Sequence, residues 1–165
     1  MINIRNSVFE TNSSSTHCVS ISNKNSFFDT ESLKRFIQKD NYLHISFGEF
    51  GWEHEYYCDP LNKLTYLIQM ICCTHGIDSW YTDKSQDELR EQLEAVNEWD
   101  WVNDYIKNLY NIEGIWIDSF DGYIDHQSYE DYDSAHDFLN DYGLSMERFI
   151  FDSGVDLITS NDNDY

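Results

Sequence analysis

Four residues have the side chains and settings to hold a metal ion: His17, Glu49, Glu53 and His126. His17 follows a loop rich in Ser, Thr and Asn at the start of an alternating segment. Glu49 and Glu53 sit on a glycine-broken turn, Gly48-Glu49-Phe50-Gly51-Trp52-Glu53-His54-Glu55. His126 falls on the apolar side of an expected strand. Zinc is the metal this set suits, since it takes nitrogen and carboxylate oxygen in a four-ligand shell. The ordinary alternative is a pair of hydrogen-bonded core histidines and turn acids. Cys72 and His75 lie one helical turn apart, but the sequence has no CxxC pair, and core packing accounts for Cys72 and Cys73. Ser13, Ser14 and Ser15 stand beside His17. A serine and a histidine this close in sequence rarely meet triad geometry, and there is no G-x-S-x-G elbow. No phosphate loop or dinucleotide fingerprint occurs either. The protein is expected not to be an enzyme, and a zinc-dependent enzyme or zinc-stabilised protein is the alternative.

A second group of residues could do recognition. Asp121-Gly122 lies between two alternating segments, a strong signal for a two-residue hairpin turn. The hairpin predicted over about 115–128 sets Asp118 opposite Asp125. It places Trp116, Asp118, Phe120, Tyr123 and Asp125 on one face, and Ile115, Ile117, Ser119, Ile124, His126 and Ser128 on the core side. Two carboxylates across a strand pair repel each other. They call for water, a cation or a basic partner. With Asp121 at the turn and Glu130, Asp131 and Asp133 just after it, they make the predicted partner surface. Trp116, Phe120 and Tyr123 supply anchoring area.

The charge distribution sharpens this. The 165 residues carry 31 acids and 10 Lys or Arg, a net charge of −21. Residues 1–39 hold five bases and three acids, so they net +2, while residues 40–165 hold 28 acids and five bases, netting −23. From Glu113 to Glu147 there are ten acids and no Lys or Arg. Such a surface repels nucleic-acid phosphates and anionic membrane alike, and attracts basic protein. Duplex DNA carries one charge per ~1.7 Å, so the charge of residues 40–165 matches about 39 Å of duplex. A globule of this length has a radius of gyration near ~15 Å, so it is about as wide as that stretch. No apolar run is long enough to span a bilayer. The start of the chain lacks a charged-then-apolar leader, which predicts a cytoplasmic protein with reduced thiols.

The elements that must carry these residues follow from local pattern. Residues 17–21 alternate as a strand, with His17, Val19 and Ile21 on one side. Thr30 or Asp29 can cap a short helix bearing Leu33, Phe36 and Ile37. Leu43, Ile45 and Phe47 share a strand face over residues 42–50. Asp59-Pro60 begins a helix with Leu61, Leu64, Leu67, Ile68 and Ile71 inward, ended by Gly76. Ser85 and Glu88 form a capping box ahead of one long helix or two in series. A helix over 133–142 stops at Gly143, and a last strand is predicted over 149–151. The fold class expected is α+β: a small antiparallel sheet including the hairpin, packed on three or four helices, in one domain over 1–159 with a frayed polar tail over 160–165.

The blocks RNSVFETNSSSTH (5–17), FGEFGWE (47–53), YIDHQS (123–128) and NDND (161–164) resemble a family of small acidic proteins from phages and prophages of low-GC bacteria. The resemblance spans most of the chain, and its first block is the most specific. It implies a phage accessory protein. Small acidic phage proteins are often anti-defence proteins, including anti-CRISPR inhibitors of the type II RNA-guided nuclease. That link rests on size, source and charge, and it carries no residue roles. The function expected is an inhibitor that binds a basic nucleic-acid-binding surface of a host protein, acting as a DNA mimic and blocking DNA loading or binding.

Overall fold

The computed structural model describes residues 15–22, 26–51, 54–77 and 84–161. In chain order the strands and helices are β1 (Ser15–Ile21), a 3-10 helix (Ser32–Phe36), β2 (Tyr42–Ser46), β3 (Glu49–Phe50), β4 (Glu55–Tyr57), α1 (Pro60–Thr74), α2 (Gln86–Glu94), α3 (Asn97–Tyr110), β5 (Gly114–Ser119), β6 (Tyr123–Ile124), α4 (His126–Tyr129), α5 (Ala135–Asp141), α6 (Met146–Phe151) and β7 (Val155–Asn161). The fold is α+β, as expected, with one small antiparallel sheet.

Capping chemistry sets the helix starts. The Asp59 carboxylate accepts from the backbone N–H of Asn62, and Pro60 occupies the first helical position. Ser85 and Glu88 cap each other's backbone at the start of α2. Ser134 and Ser145 do the same job singly for α5 and α6. The series over 86–110 is two helices. It breaks at Ala95 and Val96, where the backbone at Val96 turns extended. Asp29 accepts from the N–H of Ser32 at the head of the 3-10 helix.

α1 is the centre of the molecule. Residues 63–72 are buried without interruption, so the helix is covered on every side rather than along one stripe. It packs against α3, α5, α6 and β2. A lysine lies inside this apolar run. Lys63 Nζ donates to the carbonyls of Asp152 (3.0 Å) and Val155 (2.8 Å), tying α1 to the turn between α6 and β7. Burial pulls its pKa down, while Asp156 and Asp152 pull the other way. We expect Lys63→Met to destabilise the protein by about 2 kcal/mol, because two buried carbonyls lose a charged donor. Urea unfolding reads this directly, and a change within about 0.5 kcal/mol, as for an ordinary surface substitution, would rule out the clamp.

The antiparallel sheet has the order β1-β7-β4, with His17 opposite Thr159 and Glu55 opposite the same Thr159 from the other side. Alternation along β1 is as predicted, with His17 and Val19 buried. The other strands pair in parallel: β2 with β5, and β3 with β6.

Three expectations are corrected here. β5 and β6 do not form a hairpin; each pairs with a strand from the 42–50 segment, and Asp118 does not face Asp125. Gly122 serves close backbone approach rather than a turn. A Cβ there would lie 2.6 Å from the carbonyl oxygen of Gly48, and its φ is not positive. Residues 149–151 end α6 rather than forming a strand, because the Ser145 cap starts a helix ahead of them. Ser160 and Asn161 are the last residues of β7, paired with Thr16 and Ser15, rather than the start of a frayed tail; residues 162–165 lie outside the described residues.

Candidate functional site

β5 presents its outward side chains beside β2. Ile115 and Ile117 point into the core, while Trp116 and Asp118 point out. Parallel pairing sets His44 of β2 opposite Trp116. The Tyr42 ring meets the Trp116 ring edge-on at 6.1 Å. His44 bridges two carboxylates, with Nδ1 on Asp118 at 2.8 Å and Nε2 on Asp40 at 2.9 Å. Both ring nitrogens must donate, so the ring is held as imidazolium. Burial lowers the pKa of His44, but its hydrogen bonds to Asp118 and Asp40 outweigh this and hold it above the usual histidine value. Asp40 is lowered by the same bond.

Behind Trp116 stands Arg90 of α2. Its guanidinium lies 4.0 Å from the centre of the Trp116 ring, a cation–π contact. Nη1 donates to Asp87 at 2.8 Å and Nη2 to the carbonyl of Ile117 at 2.9 Å. Next to it, a cavity of about 260 Å³ opens between α2, α3 and β5. Trp99, Ile115 and Leu93 line its apolar part; Tyr42 and Trp116 add ring surface, and Glu94, Asp100 and Glu113 reach it as well. Those three carboxylates are exposed and have no ion pair among the described residues.

The predicted partner residues fall into separate places. Trp116 is 38% exposed and Asp118 is exposed, so both remain on the surface beside the cavity. Phe120 does not. It is 1% exposed and packs edge-on against Phe47 at 5.0 Å. The hairpin geometry that placed it outward is absent, so it is a core residue and not an anchor. Asp121 is exposed beside Ser119, whose hydroxyl accepts from its backbone N–H. Tyr123 is half-buried; burial, then Glu49 and Asp125, push its pKa up. Asp125 is half-buried, and its N–H donates to the carbonyl of Phe50. Glu130, Asp131 and Asp133 are exposed in the turn between α4 and α5.

The four predicted metal ligands are placed in part. His17 is on β1 and nine-tenths buried, with Nδ1 3.0 Å from the hydroxyl of Tyr66. Its Nε2 is buried and has no hydrogen-bond partner among the described residues. Burial lowers its pKa to about 3, so the ring is neutral. Gly51 (φ +120°) lies against this nitrogen: a Cβ there would be 2.7 Å from His17 Nε2 and 2.9 Å from Asp125 Cβ. β1, Gly51 and Asp125 therefore meet at one point. Glu49 is exposed on β3. The side chain of His126 and all of Glu53 lie outside the described residues. Among the described residues, no three His, Cys, Asp or Glu side chains are grouped to hold a metal.

Cys72 and His75 do not form a site. The His75 ring turns to the carbonyl of Ile71 at 3.0 Å and to Glu98 at 3.8 Å, and no disulfide joins the four cysteines. The sequence reading missed His44, Arg90 and the three carboxylates of the cavity. The spacing of Asp87 and Arg90, one turn apart on a capped helix, is the one local signal that marks Arg90 as fixed rather than free. Among the described residues, no helix is long and apolar enough to cross a membrane. No family model, curated protein or solved structure matches the chain.

Proposed function

We propose that the protein is an anti-defence inhibitor that occupies a basic, nucleic-acid-binding surface of a host protein in the bacterial cytoplasm. A type II RNA-guided nuclease is the first partner to test. The observation that carries the reading is the exposure of the acids over 113–147. All are exposed except Asp125, which is half-buried. Glu113, Asp121, Glu130 and Asp133 have no ion pair among the described residues. Charges that steer toward and mask a basic channel are left unpaired, as these four are among the described residues.

The quadruple variant Glu113→Lys, Asp121→Lys, Glu130→Lys and Asp133→Lys should weaken binding to the nuclease by roughly a hundredfold or more at low salt, at a few tenths to one kcal/mol for each lost attraction and again for each new repulsion. The deficit should shrink as salt rises. Biolayer interferometry across a salt series reads both. Equal affinity of variant and wild type at low salt removes the proposal.

A second reading is a zinc-holding accessory protein, favoured by the Nε2 of His17, which is buried and has no hydrogen-bond partner among the described residues. Metal-bound histidines donate their other ring N–H to an oxygen, and the Tyr66 hydroxyl stands where Nδ1–H would donate. Elemental analysis of the purified protein tests it. One equivalent of zinc that disappears in His17→Phe supports a site there, and no metal in the wild type eliminates it.

A further inference from the structure

We propose that the cavity between α2, α3 and β5 receives an arginine side chain of the partner protein. This rests on the reading above and names the place where that partner is gripped. The cavity, at about 260 Å³, is below the ~300–1,000 Å³ of small-molecule sites, so it suits one long side chain rather than a cofactor. Its walls combine two features that a guanidinium selects. Trp116, Tyr42 and Trp99 supply aromatic surface, on which a planar cation stacks better than an ammonium. Glu94, Asp100 and Glu113 supply carboxylates that can accept its N–H groups in pairs.

Arg90 does not cancel this charge. Its guanidinium is one positive group against three carboxylates. Two of its nitrogens are committed to Asp87 and to the carbonyl of Ile117, and its Nε is buried away from solvent. Held 4.0 Å from the centre of the Trp116 ring, it fixes the indole as a wall and leaves the carboxylates for an incoming cation. An anion entering the same space would meet three carboxylates against one guanidinium. Charge complementarity therefore favours a basic occupant.

The probe is argininamide, followed by the indole N–H signal of Trp116 in two-dimensional NMR; the signal is assigned by its loss in Trp116→Phe. Saturable shifts with a dissociation constant in the millimolar range are expected, with weaker shifts from lysinamide. The double variant Glu94→Gln and Asp100→Asn changes two exposed side chains and should weaken argininamide about tenfold, on the scale of two exposed charge pairs. No saturable shift, an unchanged constant in the double variant, or saturation by inorganic phosphate instead would each overturn the inference. The two proposals fail separately. If argininamide does not bind but the quadruple charge reversal still weakens the nuclease complex, the cavity assignment falls and the inhibitor reading stands. If argininamide binds but no nuclease complex forms, the inhibitor reading falls and the cavity stands.

Discussion

Gly122→Ala should destabilise the protein by about 3 kcal/mol or more, above the usual range for overpacking. A Cβ at this position would lie 2.6 Å from the Gly48 carbonyl oxygen and 2.7 Å from both the carbonyl carbon and the Cβ of Phe47. Side-chain rotation cannot relieve contacts with backbone. Nor can the backbone of Gly48 withdraw easily. The Gln69 side-chain amide bonds both its N–H and its carbonyl at 2.9 Å, and Tyr123 N–H donates to the same carbonyl at 3.0 Å. Phe47 is held in turn by Phe120. Gly143→Ala is the control. Gly143 has φ +63° and nothing within 4 Å of an added Cβ, so only the left-handed backbone is penalised, at about 1 kcal/mol. Urea unfolding of the two variants side by side separates the causes. If Gly122→Ala were no worse than Gly143→Ala, Gly122 would be serving a turn and the close approach would be irrelevant.

The second large effect is acid lability from His17. Its folded pKa is about 3, against about 6.5 in an unfolded chain. Below pH 6.5 the unfolded chain takes up a proton that the folded chain refuses. Stability therefore falls as pH falls, by about 1.4 kcal/mol per pH unit, until the folded pKa is reached. Between pH 6 and pH 4.5 this amounts to about 2 kcal/mol. Among the described residues, the other shifted groups leave that window clear. His44 has a raised pKa, so its contribution is fully present below pH 6.5 and is lost only as pH rises through its folded value. Asp40, Glu88 and Asp152 have lowered pKa values, and what they contribute is lost only as pH falls from about 4.5 downward. Urea unfolding at intervals from pH 6 to pH 4.5 should show the slope in the wild type and a nearly flat line in His17→Phe. A variant that keeps the slope would assign the lability elsewhere.

Local signals in the sequence carried the local structure. Asp59-Pro60, the Ser85 and Glu88 pair, Gly76 and Gly143 mark helix ends by chemistry that acts within a few residues, and the structure has each of them. The alternation of His17, Val19 and Ile21 marked β1 for the same reason. Pairing is different. Residues 115–119 have the alternation of a strand whether the neighbour is residue 124 or residue 45. Asp121-Gly122 pointed to the nearer neighbour because it fits a tight turn, while the actual requirement on Gly122 comes from Gly48, far away in the chain. Phe149, Ile150 and Phe151 are too short an apolar run to tell strand from helix, and the deciding signal, Ser145, precedes the run. The acids of the candidate surface could be read directly, since charge does not depend on pairing. The cavity could not, because α2, α3 and β5 meet only through the fold.

The position of β7 bears on how the chain acquires its structure during synthesis. β1 and β4 do not pair with each other; each finds its backbone partner in β7. A ribosome working from the amino end releases β1 early and β7 late, so both outer strands wait with unpaired edges until residues 155–161 emerge. Contacts that span so much of the chain close slowly, and waiting edges are where chains stick to one another. The early segment is slightly basic and the later one strongly acidic. Mutual repulsion among nascent copies therefore builds up over the same interval in which their strand edges are exposed, and the same acidity keeps unfinished chains apart.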